Sequence, residues 1–526
     1  MPQSQPLGGI ELRVAFVFPP FSFKLHEENL RVVEKYFAVA PPLSMSWVAA
    51  IAERAGHEAT IIDARTLHLT MEDTLALLED FRPDLLGFMM TTYMFRETLA
   101  WLKFLKAHLK VPTIIGGYNL RIYPKESMAA DEDIDFGCVE HALHTFPAFL
   151  REMEGQRRFD DVPGFLYKRN GEIVQTPNVP VDFNEFPFPA RHLLPNELYV
   201  EFPTERRNVT VMVTSLGCPM RCTFCELAGT AWSPRRPELV VAEMEECYRK
   251  YGVREIDIFD YDFCVQRERT MQICKLIQAK QLDLWWHCRT RVDRVDPELL
   301  QEMYKAGCRR IFFGIEHGDQ AMLDRVNKGI TLDQIRKTIA AAREIGIRPL
   351  GFFLIGSPGE TVRTIKRTIS FAKELKLDYV QFSKTTAKPG TGLWKKLVAD
   401  SGGYDHWKEY ILGRAPERAL PRPWTELSTA DVDRWTKKAY VRYHSRPLFL
   451  LRSTLKVRSW SEFKRKAGCF LDMVFSQERR AEDWYKKGKP YQIYRENPPE
   501  LVEKWRGKFV KGSLKRANAG SHEKQG

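Results

Sequence analysis

The chain has 526 residues, of which 44% are hydrophobic and 28% charged, and its formal net charge is +12. It is too long for one ordinary domain, and its composition excludes disordered and fibrous classes. No run reaches the roughly 18 apolar residues of a spanning helix, the N-terminal stretch lacks a signal-peptide pattern, and ten cysteines in so long a chain do not make a secreted disulfide framework. A cytoplasmic location with reduced thiols is therefore expected.

The first elements alternate. An apolar strand over Leu12–Phe18 is followed by Pro19-Pro20, a helix near Ser46–Ala55 and a strand over Glu58–Ile62. A helix over Met71–Phe81, a strand over Leu85–Met90 and a helix over Phe95–Leu109 come next. The strand Pro112–Ile115 runs into Gly116-Gly117, and a short strand around Ile134–Val139 precedes the helix His141–Glu154. This βα rhythm predicts a doubly wound parallel sheet over residues 10–154. Residues 155–207 read as a hairpin turning at Asn170-Gly171, then an extended Pro-rich linker.

A second alternation starts at Asn208. Strands are predicted over Val209–Ser215, Glu255–Phe259, Leu284–Arg289, Arg309–Gly314, Arg348–Ile355 and Tyr379–Ser383, with helices between them such as Leu239–Tyr251 and Asp333–Ile345. Six strand–helix units over residues 208–400 predict a partial (β/α)6 barrel, with chemistry at the carboxyl ends of its strands.

Residues 401–526 read as helical, aromatic and basic. From Arg434 onward there are 24 Lys and Arg against 9 Asp and Glu, a surplus larger than the net charge of the whole chain. Trp460, Phe463, Ala467, Phe470, Leu471 and Val474 recur at helical spacing, with Lys464, Arg465 and Lys466 on another face. Such a helix packs on the protein's own core or rests on an anionic membrane surface. No recognition motif accompanies the charge, so nucleic acid is not expected. The polar stretch Lys511–Gly526 is expected to be disordered.

The most specific motif follows the first barrel strand: Cys218-Pro-Met-Arg-Cys222-Thr-Phe224-Cys225. Three thiolates within eight residues can wrap one soft metal centre. Iron–sulfur cubanes commonly take four cysteines, so three leave one iron open. Zinc is the main rival, although its structural sites usually pair ligands from two separate places. Cys138, Cys247, Cys264, Cys274, Cys288, Cys308 and Cys469 read as small buried or incidental residues, with Cys264 and Cys288 kept as candidates because they lie at strand ends.

The CxxxCxxC spacing resembles the signature of the radical S-adenosylmethionine superfamily. The resemblance implies a [4Fe–4S] cluster on Cys218, Cys222 and Cys225, whose open iron binds S-adenosylmethionine and cleaves it to a deoxyadenosyl radical. It implies an electron donor such as flavodoxin or ferredoxin. It extends to about residue 395, through Phe259-Asp260-Tyr-Asp262-Phe263, Arg289-Thr-Arg291, Gly314-Ile-Glu316-His317-Gly318, Lys328-Gly329, Gly356-Ser-Pro358-Gly359-Glu360-Thr361 and Lys388-Pro389-Gly390-Thr391. The implied S-adenosylmethionine contacts are Phe224, Asp260, Asp262, Arg289, Arg291 and Glu316, with only one of the two arginines expected to face the site.

Residues 10–150 resemble the cobalamin-binding domain of B12-dependent members of that superfamily. The resembling phrases are Pro41-Pro42-Leu43-Ser44, Asp63 with Thr66, Thr91-Thr92, Gly116-Gly117 and Phe136-Gly137-Cys-Val-Glu140. They imply cobalamin contacts at Ser44, Thr66, Thr91, Thr92, Gly116, Gly117, Tyr118 and Glu140. Two departures matter. The usual Gly-Gly-x-His reads Gly116-Gly117-Tyr118-Asn119, and D-x-H-x-x-G is absent because Asp63 is followed by Ala-Arg-Thr-Leu-His68. Cobalamin without a cobalt-ligating histidine from this domain is therefore expected, and His68 reads as a surface helix-start residue.

The expected architecture is α/β: a doubly wound, Rossmann-like cobalamin domain, a TIM-like partial barrel and a helical C-terminal region. The resemblance implies a methyltransferase in which one S-adenosylmethionine methylates cobalamin and another initiates attack on an unactivated carbon. A hydrophobic small-molecule substrate such as a hopanoid or tetrapyrrole is expected, delivered from a membrane if the basic tail makes peripheral contact. Alternatives are a radical cyclase of the anaerobic magnesium-protoporphyrin monomethyl ester type and a non-catalytic cobalamin or cluster sensor.

Overall fold

The computed structural model describes residues 11–20, 40–199, 204–206, 208–416, 420, 422–447 and 449–450, with isolated positions between 467 and 507. Two sheets organise these residues. The first contains β1 (Arg13–Phe18), β2 (Glu58–Asp63), β3 (Leu85–Met89), β4 (Thr113–Gly116), β5 (Phe136–Cys138), β6 (Phe165–Arg169) and β7 (Glu172–Gln175), in the order β2-β1-β3-β4-β5-β6-β7. β1 to β5 run parallel. Their continuous apolar runs suit strands covered on both faces, and Val14, Ala15 and Val17 are fully buried. Packing here is close: a Cβ on Gly87 would lie 2.5 Å from the Phe16 ring.

The predicted hairpin does not stand apart from this domain. β6 pairs antiparallel with β5 and with β7, so the hairpin extends the sheet. Phe136, Phe149, Phe159 and Phe165 pack together there, which makes the edge too apolar to be left to solvent.

The second sheet is wholly parallel. It contains β8 (Val209–Met212), β11 (Glu255–Ile258), β12 (Trp285–Thr290), β13 (Cys308–Glu316), β14 (Arg348–Ile355) and β15 (Tyr379–Lys384), in chain order. β8 and β15 are its edges, so the sheet curls into an open half-barrel. Between β8 and β11, the short strands β9 (Ser215–Leu216) and β10 (Ser233–Pro234) pair antiparallel and close the base of the cysteine loop. Local signals fix the crossover helices. Asp296 caps Pro297–Lys305, and Thr331 and Gln334 form a capping box on Leu332–Ile345. Gly346 ends the latter helix at φ 100°, a conformation open to glycine.

A buried ion triad locks the linker onto this barrel. Glu243 accepts from Arg191 Nη2 at 2.9 Å and from Arg235 Nη1 at 2.8 Å. Arg191 also donates to Thr210 and to the Val211 carbonyl on β8. The end of the cysteine loop is thus anchored to the first barrel strand.

The region after residue 400 joins both sheets. The helix Thr429–His444 places Val432, Trp435, Ala439, Tyr440 and Tyr443 in the barrel's core. Trp407, Tyr410 and Ile411 pack instead with the first sheet's core. The predicted amphipathic segment around Trp460–Val474 and the polar stretch Lys511–Gly526 lie outside the described residues or nearly so. Among the described residues, no helix is long and apolar enough to cross a membrane.

Candidate active site at the barrel mouth

Cys218, Cys222 and Cys225 lie on the loop that leaves β9. Backbone and hydroxyl bonds shape it. Cys218 N–H donates to Thr230 Oγ1 at 2.9 Å, Gly229 N–H to the Met220 carbonyl at 2.6 Å, and Cys225 N–H to the Cys222 carbonyl at 3.2 Å. Gly217 opens the turn at φ 76°, where a Cβ would strike the Ala231 carbonyl oxygen at 1.9 Å. From outside, Thr223 is held by the Val326 carbonyl and the Leu393 N–H, and Asn327 Nδ2 donates to the Arg221 carbonyl.

The three thiols are near enough to influence one another. Burial raises all three above the ordinary thiol range, Cys225 to about 12, with Cys218 and Cys222 adding to that shift. Lys328 and Arg291 act on Cys222 in the opposite direction. Three soft donors beside two cations fit a negatively charged iron–sulfur centre. Among the described residues, no three His, Cys, Asp or Glu side chains gather tightly enough for a single ion.

Strand ends surround the loop. Glu316 closes β13 in the left-handed region at φ 65°, beside a register shift between β13 and β14. Such backbone strain in a non-glycine residue is sustained only by its surroundings. Here the carboxylate meets Lys328 Nζ at 2.8 Å, with both side chains buried. Gly314 makes the space, since a Cβ there would lie 2.6 Å from both charged atoms. Next in sequence, His317 Nε2 bonds Ser357 Oγ at 3.0 Å, and Ser357 bonds Thr385 at 2.8 Å, which joins the ends of β13, β14 and β15.

The two aspartates after β11 differ. Asp260 accepts from Thr214 N–H, Thr214 Oγ1 and Ser215 Oγ at 2.5–2.7 Å, and so holds the root of the cysteine loop. Asp262 accepts from Thr290 Oγ1 at 2.7 Å, while its Oδ2 is buried without a hydrogen-bond partner. Burial raises the Asp262 carboxyl, and Arg294, Arg291 and Lys328 oppose that rise. An orphaned carboxylate oxygen beside cations is chemically suited to an ammonium or ribose hydroxyl.

Arg289 and Arg291 required a different reading of the pleat, because residues two apart share one face of a strand. Arg289 turns into the barrel, bidentate on Asp257 at 2.6 and 2.9 Å, with its guanidinium 3.9 Å from the Phe259 ring centroid. Arg291 lies just past β12, bidentate on Asp293 at 2.8 and 2.9 Å, and is the one within electrostatic reach of Cys222. Phe224 is half-buried on the cysteine loop. Cys264, Cys288 and Cys308 form a separate buried thiol group within the barrel core.

The carboxyl edge of the first sheet presents Thr91, Gly116 and Gly117. A Cβ on Gly116 would meet only Cys138 Cβ, at 4.0 Å, whereas Gly117 (φ 109°) is packed 2.7 Å from the Met90 carbonyl oxygen on the same measure. Small residues and open backbone at Gly116 fit the approach of a flat macrocycle. Ser44 Oγ lies 2.9 Å from Met89 Sδ. Thr92 donates to Asn119, which donates onward to Ser127, so the residue replacing the usual histidine is a fully buried structural hub. Thr66 N–H caps onto Asp63, and Asp63 also accepts from Tyr199. Glu140 is exposed. His68 ends a short helix at φ 52° rather than starting one.

The two sheets' carboxyl edges meet. Tyr118 Oη donates to the Glu226 carbonyl at 3.0 Å, one residue past Cys225, and Tyr261 Oη donates to Glu226 Oε1 at 3.0 Å. Tyr261 keeps 48% of its surface accessible, yet its surroundings push its phenol well above the ordinary range. Phe259, 37% exposed, is a second ring left open at this mouth. Neither Glu226, Tyr261 nor Phe259 was singled out from sequence; the tyrosine between two matched aspartates was the available signal.

Comparison with known proteins follows this division. The Radical SAM superfamily model matches residues 212–372, and the B12 binding domain model matches residues 31–150. The uncharacterized methyltransferase PH0819 of Pyrococcus horikoshii is 29% identical over 448 residues, covering 84% of this chain and 94% of that protein. An anaerobic magnesium-protoporphyrin IX monomethyl ester cyclase of Rubrivivax gelatinosus is 25% identical over 400 residues, 73% of this chain and 70% of its own length. The hopanoid C-3 methylase of Methylococcus capsulatus is 25% identical over 379 residues, 71% of each. The cobalamin-dependent S-adenosylmethionine radical enzyme OxsB with aqua-cobalamin shares the fold at TM-score 0.66 and 16% identity, over 97% of this chain and 81% of that one. The methyltransferase TsrM from Kitasatospora setae, with cobalamin and a [4Fe-4S] cluster, shares it at TM-score 0.58 and 18% identity, over 74% and 79%.

The half-barrel with its cysteine loop is that of a radical S-adenosylmethionine enzyme. Joined to a B12 binding domain, it makes the chain a cobalamin-dependent, methyltransferase-like enzyme, with a [4Fe–4S] cluster, S-adenosylmethionine and cobalamin as cofactors.

Proposed function

We propose that this enzyme methylates an unactivated carbon of a hydrophobic small molecule, a polycyclic lipid of the hopanoid kind or a tetrapyrrole. The observation that carries the reading is the meeting of the two carboxyl edges: Tyr118, beside Gly116-Gly117, reaches the Glu226 carbonyl next to Cys225, and Asp262 and Glu316 lie within electrostatic reach of Cys218 and Cys222. When bound, the cofactors supply the radical and the methyl group. The chain's residues then divide the remaining work. Cys218, Cys222 and Cys225 hold the cluster. Asp262 and Arg291 bind the polar parts of S-adenosylmethionine, with Phe224 flanking them on the loop. Glu316 binds there too, oriented by Lys328. Asp260 and Arg289 act from behind, since their polar atoms are engaged by Thr214, Ser215 and Asp257.

On the other edge, Ser44, Thr91, Gly116 and Gly117 face cobalamin, with Glu140 at the rim. Thr66 and Thr92 support this edge through Asp63 and Asn119. The open rings of Phe259 and Tyr261 offer apolar, flat surface to the substrate. The reductant is a small electron-transfer protein such as flavodoxin or ferredoxin, and the basic tail makes peripheral membrane contact.

The test is isotopic. Reconstituted protein is supplied with reductant, methyl-labelled S-adenosylmethionine and either a hopanoid or a porphyrin ester. Label in the product is the expected result. A ring-closed product without label would instead establish cyclase chemistry, and release of deoxyadenosine with no labelled product from either substrate class would remove the substrate assignment.

A further inference from the structure

The structure assigns Tyr118 a role other than cobalamin contact: we infer that its hydroxyl is a positioning group that registers the cobalamin-binding edge against the cluster loop. Two contacts meet at this one oxygen. It donates to the carbonyl of Glu226, directly after the last cysteine of the motif. It also fits against Gly390 on the loop after β15, where φ is 87° and a Cβ would lie 3.0 Å from the Tyr118 oxygen and 3.0 Å from Ile122 Cδ1. The helix that follows this loop, Gly392–Asp400, holds the cysteine loop as well, through Leu393 N–H on the Thr223 carbonyl. Burial raises the phenol to about 12, so the hydroxyl stays protonated and donates across the working pH range.

Other bonds also join the first sheet to the rest of the chain, and they provide the contrast. Tyr123 Oη donates to Asp405 at 2.8 Å, and Arg96 donates to the Tyr410 and Ala415 carbonyls. These hold the C-terminal region and do not touch the cysteine loop. Among the described interactions, Tyr118 is the hydrogen bond that runs from the Gly116-Gly117 edge to the loop itself. The carboxylate of the same residue, Glu226, accepts in turn from Tyr261. The loop is thereby held by one phenol from each sheet, and Tyr118 is the side chain that reaches it from the Gly116-Gly117 edge.

The inference rests on the proposed placement of cluster and cobalamin on facing edges. Its test uses the full-length holoenzyme, with cluster and cobalamin content measured first. Tyr118→Phe removes one oxygen. Tyr123→Phe removes the equivalent oxygen from a bond that avoids the loop. Gly390→Ala displaces Tyr118 from the other side. Cobalamin affinity, read by visible absorbance, and iron content are expected to stay at wild-type values in all three. The spin relaxation of Co(II) cobalamin by the reduced cluster is expected to change in Tyr118→Phe and Gly390→Ala and not in Tyr123→Phe. Deoxyadenosine released per labelled methyl is expected to rise about 10-fold in the same two, since misplacement on the order of 1 Å can cost an oriented reaction about 10²-fold. Wild-type relaxation in Tyr118→Phe, or an equal change in Tyr123→Phe, would overturn the inference. Wild-type protein that binds cluster but not cobalamin would instead overturn the proposed function.

Discussion

The six-stranded sheet has two ends built from the same kinds of residue, and they are put to opposite uses. At the amino end, Glu205, Glu255, His287 and Arg310 face one another across the barrel interior at 3.6–3.8 Å, and Arg348 pairs with Glu205. Glu255 also accepts the N–H groups of Glu205 and Arg206, both at 2.8 Å. At the carboxyl end, Asp262 keeps an orphaned oxygen, Glu316 sits in a strained conformation, and two aromatic rings stay open. Charge at the first end is turned inward on itself. At the second, one carboxylate oxygen of Asp262 is left available. A strand thus carries stability at one end and chemistry at the other.

The sharpest way to break this comparison is to remove a cysteine. Cys222→Ala is expected to abolish iron binding and deoxyadenosine release while cobalamin binding persists, measured by iron analysis and visible spectroscopy on the same sample. Joint loss of both cofactors would show that the two edges are not separable.

Matched charge deletions sharpen it next. Lys328→Met leaves Glu316 buried without its partner, and Arg310→Met removes the guanidinium that faces Glu255, which keeps its bonds from the Glu205 and Arg206 N–H groups. Removing one member of a buried pair costs about 3–5 kcal/mol, so both variants are expected to lose comparable stability in denaturant titration. Only Lys328→Met is expected to reduce S-adenosylmethionine cleavage per folded molecule. Equal cleavage defects would mean that the amino end also takes part in catalysis.

How much of this was legible beforehand depends on the link involved. Strand and helix order followed from periodicity, because buried parallel strands must be apolar and crossover helices amphipathic. The cysteine loop was legible because its spacing is local. What pairs across the chain was not. Asp260 and Asp262 are two residues apart and look equivalent, yet one is saturated by Thr214 and Ser215 and the other keeps an open oxygen. Arg289 and Arg291 stand two residues apart, and the end of β12 between them sends them to different partners. Tyr118 stands beside Gly117, where the resemblance implies a cobalamin contact, and nothing local signals that its hydroxyl reaches Glu226, 108 residues away.

Asp262→Asn tests that difference with a smaller expected effect. The amide can keep the bond from Thr290 but loses the charge. A hydrogen bond to a charged group contributes about 1.5–3 kcal/mol, so affinity for S-adenosylmethionine is expected to fall about tenfold or more, with stability nearly unchanged. A stability loss without an affinity change would return Asp262 to a structural role.

The smallest expected effect lies at the amino end and appears only with pH. His287 is fully enclosed, and burial lowers its pKa from 6.5 to about 3, with Arg310 and Arg289 lowering it further and Asp257 opposing. The folded protein therefore holds a neutral imidazole well below the pH at which the unfolded chain takes up a proton. Between about pH 6.5 and pH 3 the unfolded state binds more protons, so stability falls as pH falls. One proton corresponds to about 1.4 kcal/mol per pH unit. Glu255, whose carboxyl burial raises, titrates in the opposite sense, but it does so in wild type and in His287→Asn alike. The difference between the two proteins in urea midpoint, followed from pH 7 to pH 4.5, is thus expected to shrink as pH falls, because only wild type carries the histidine's proton penalty. A constant difference would mean that His287 titrates in the fold as it does in the unfolded chain, and a growing one that it is already protonated there; either would show that the charges at the amino end are less completely turned on one another than the geometry shows.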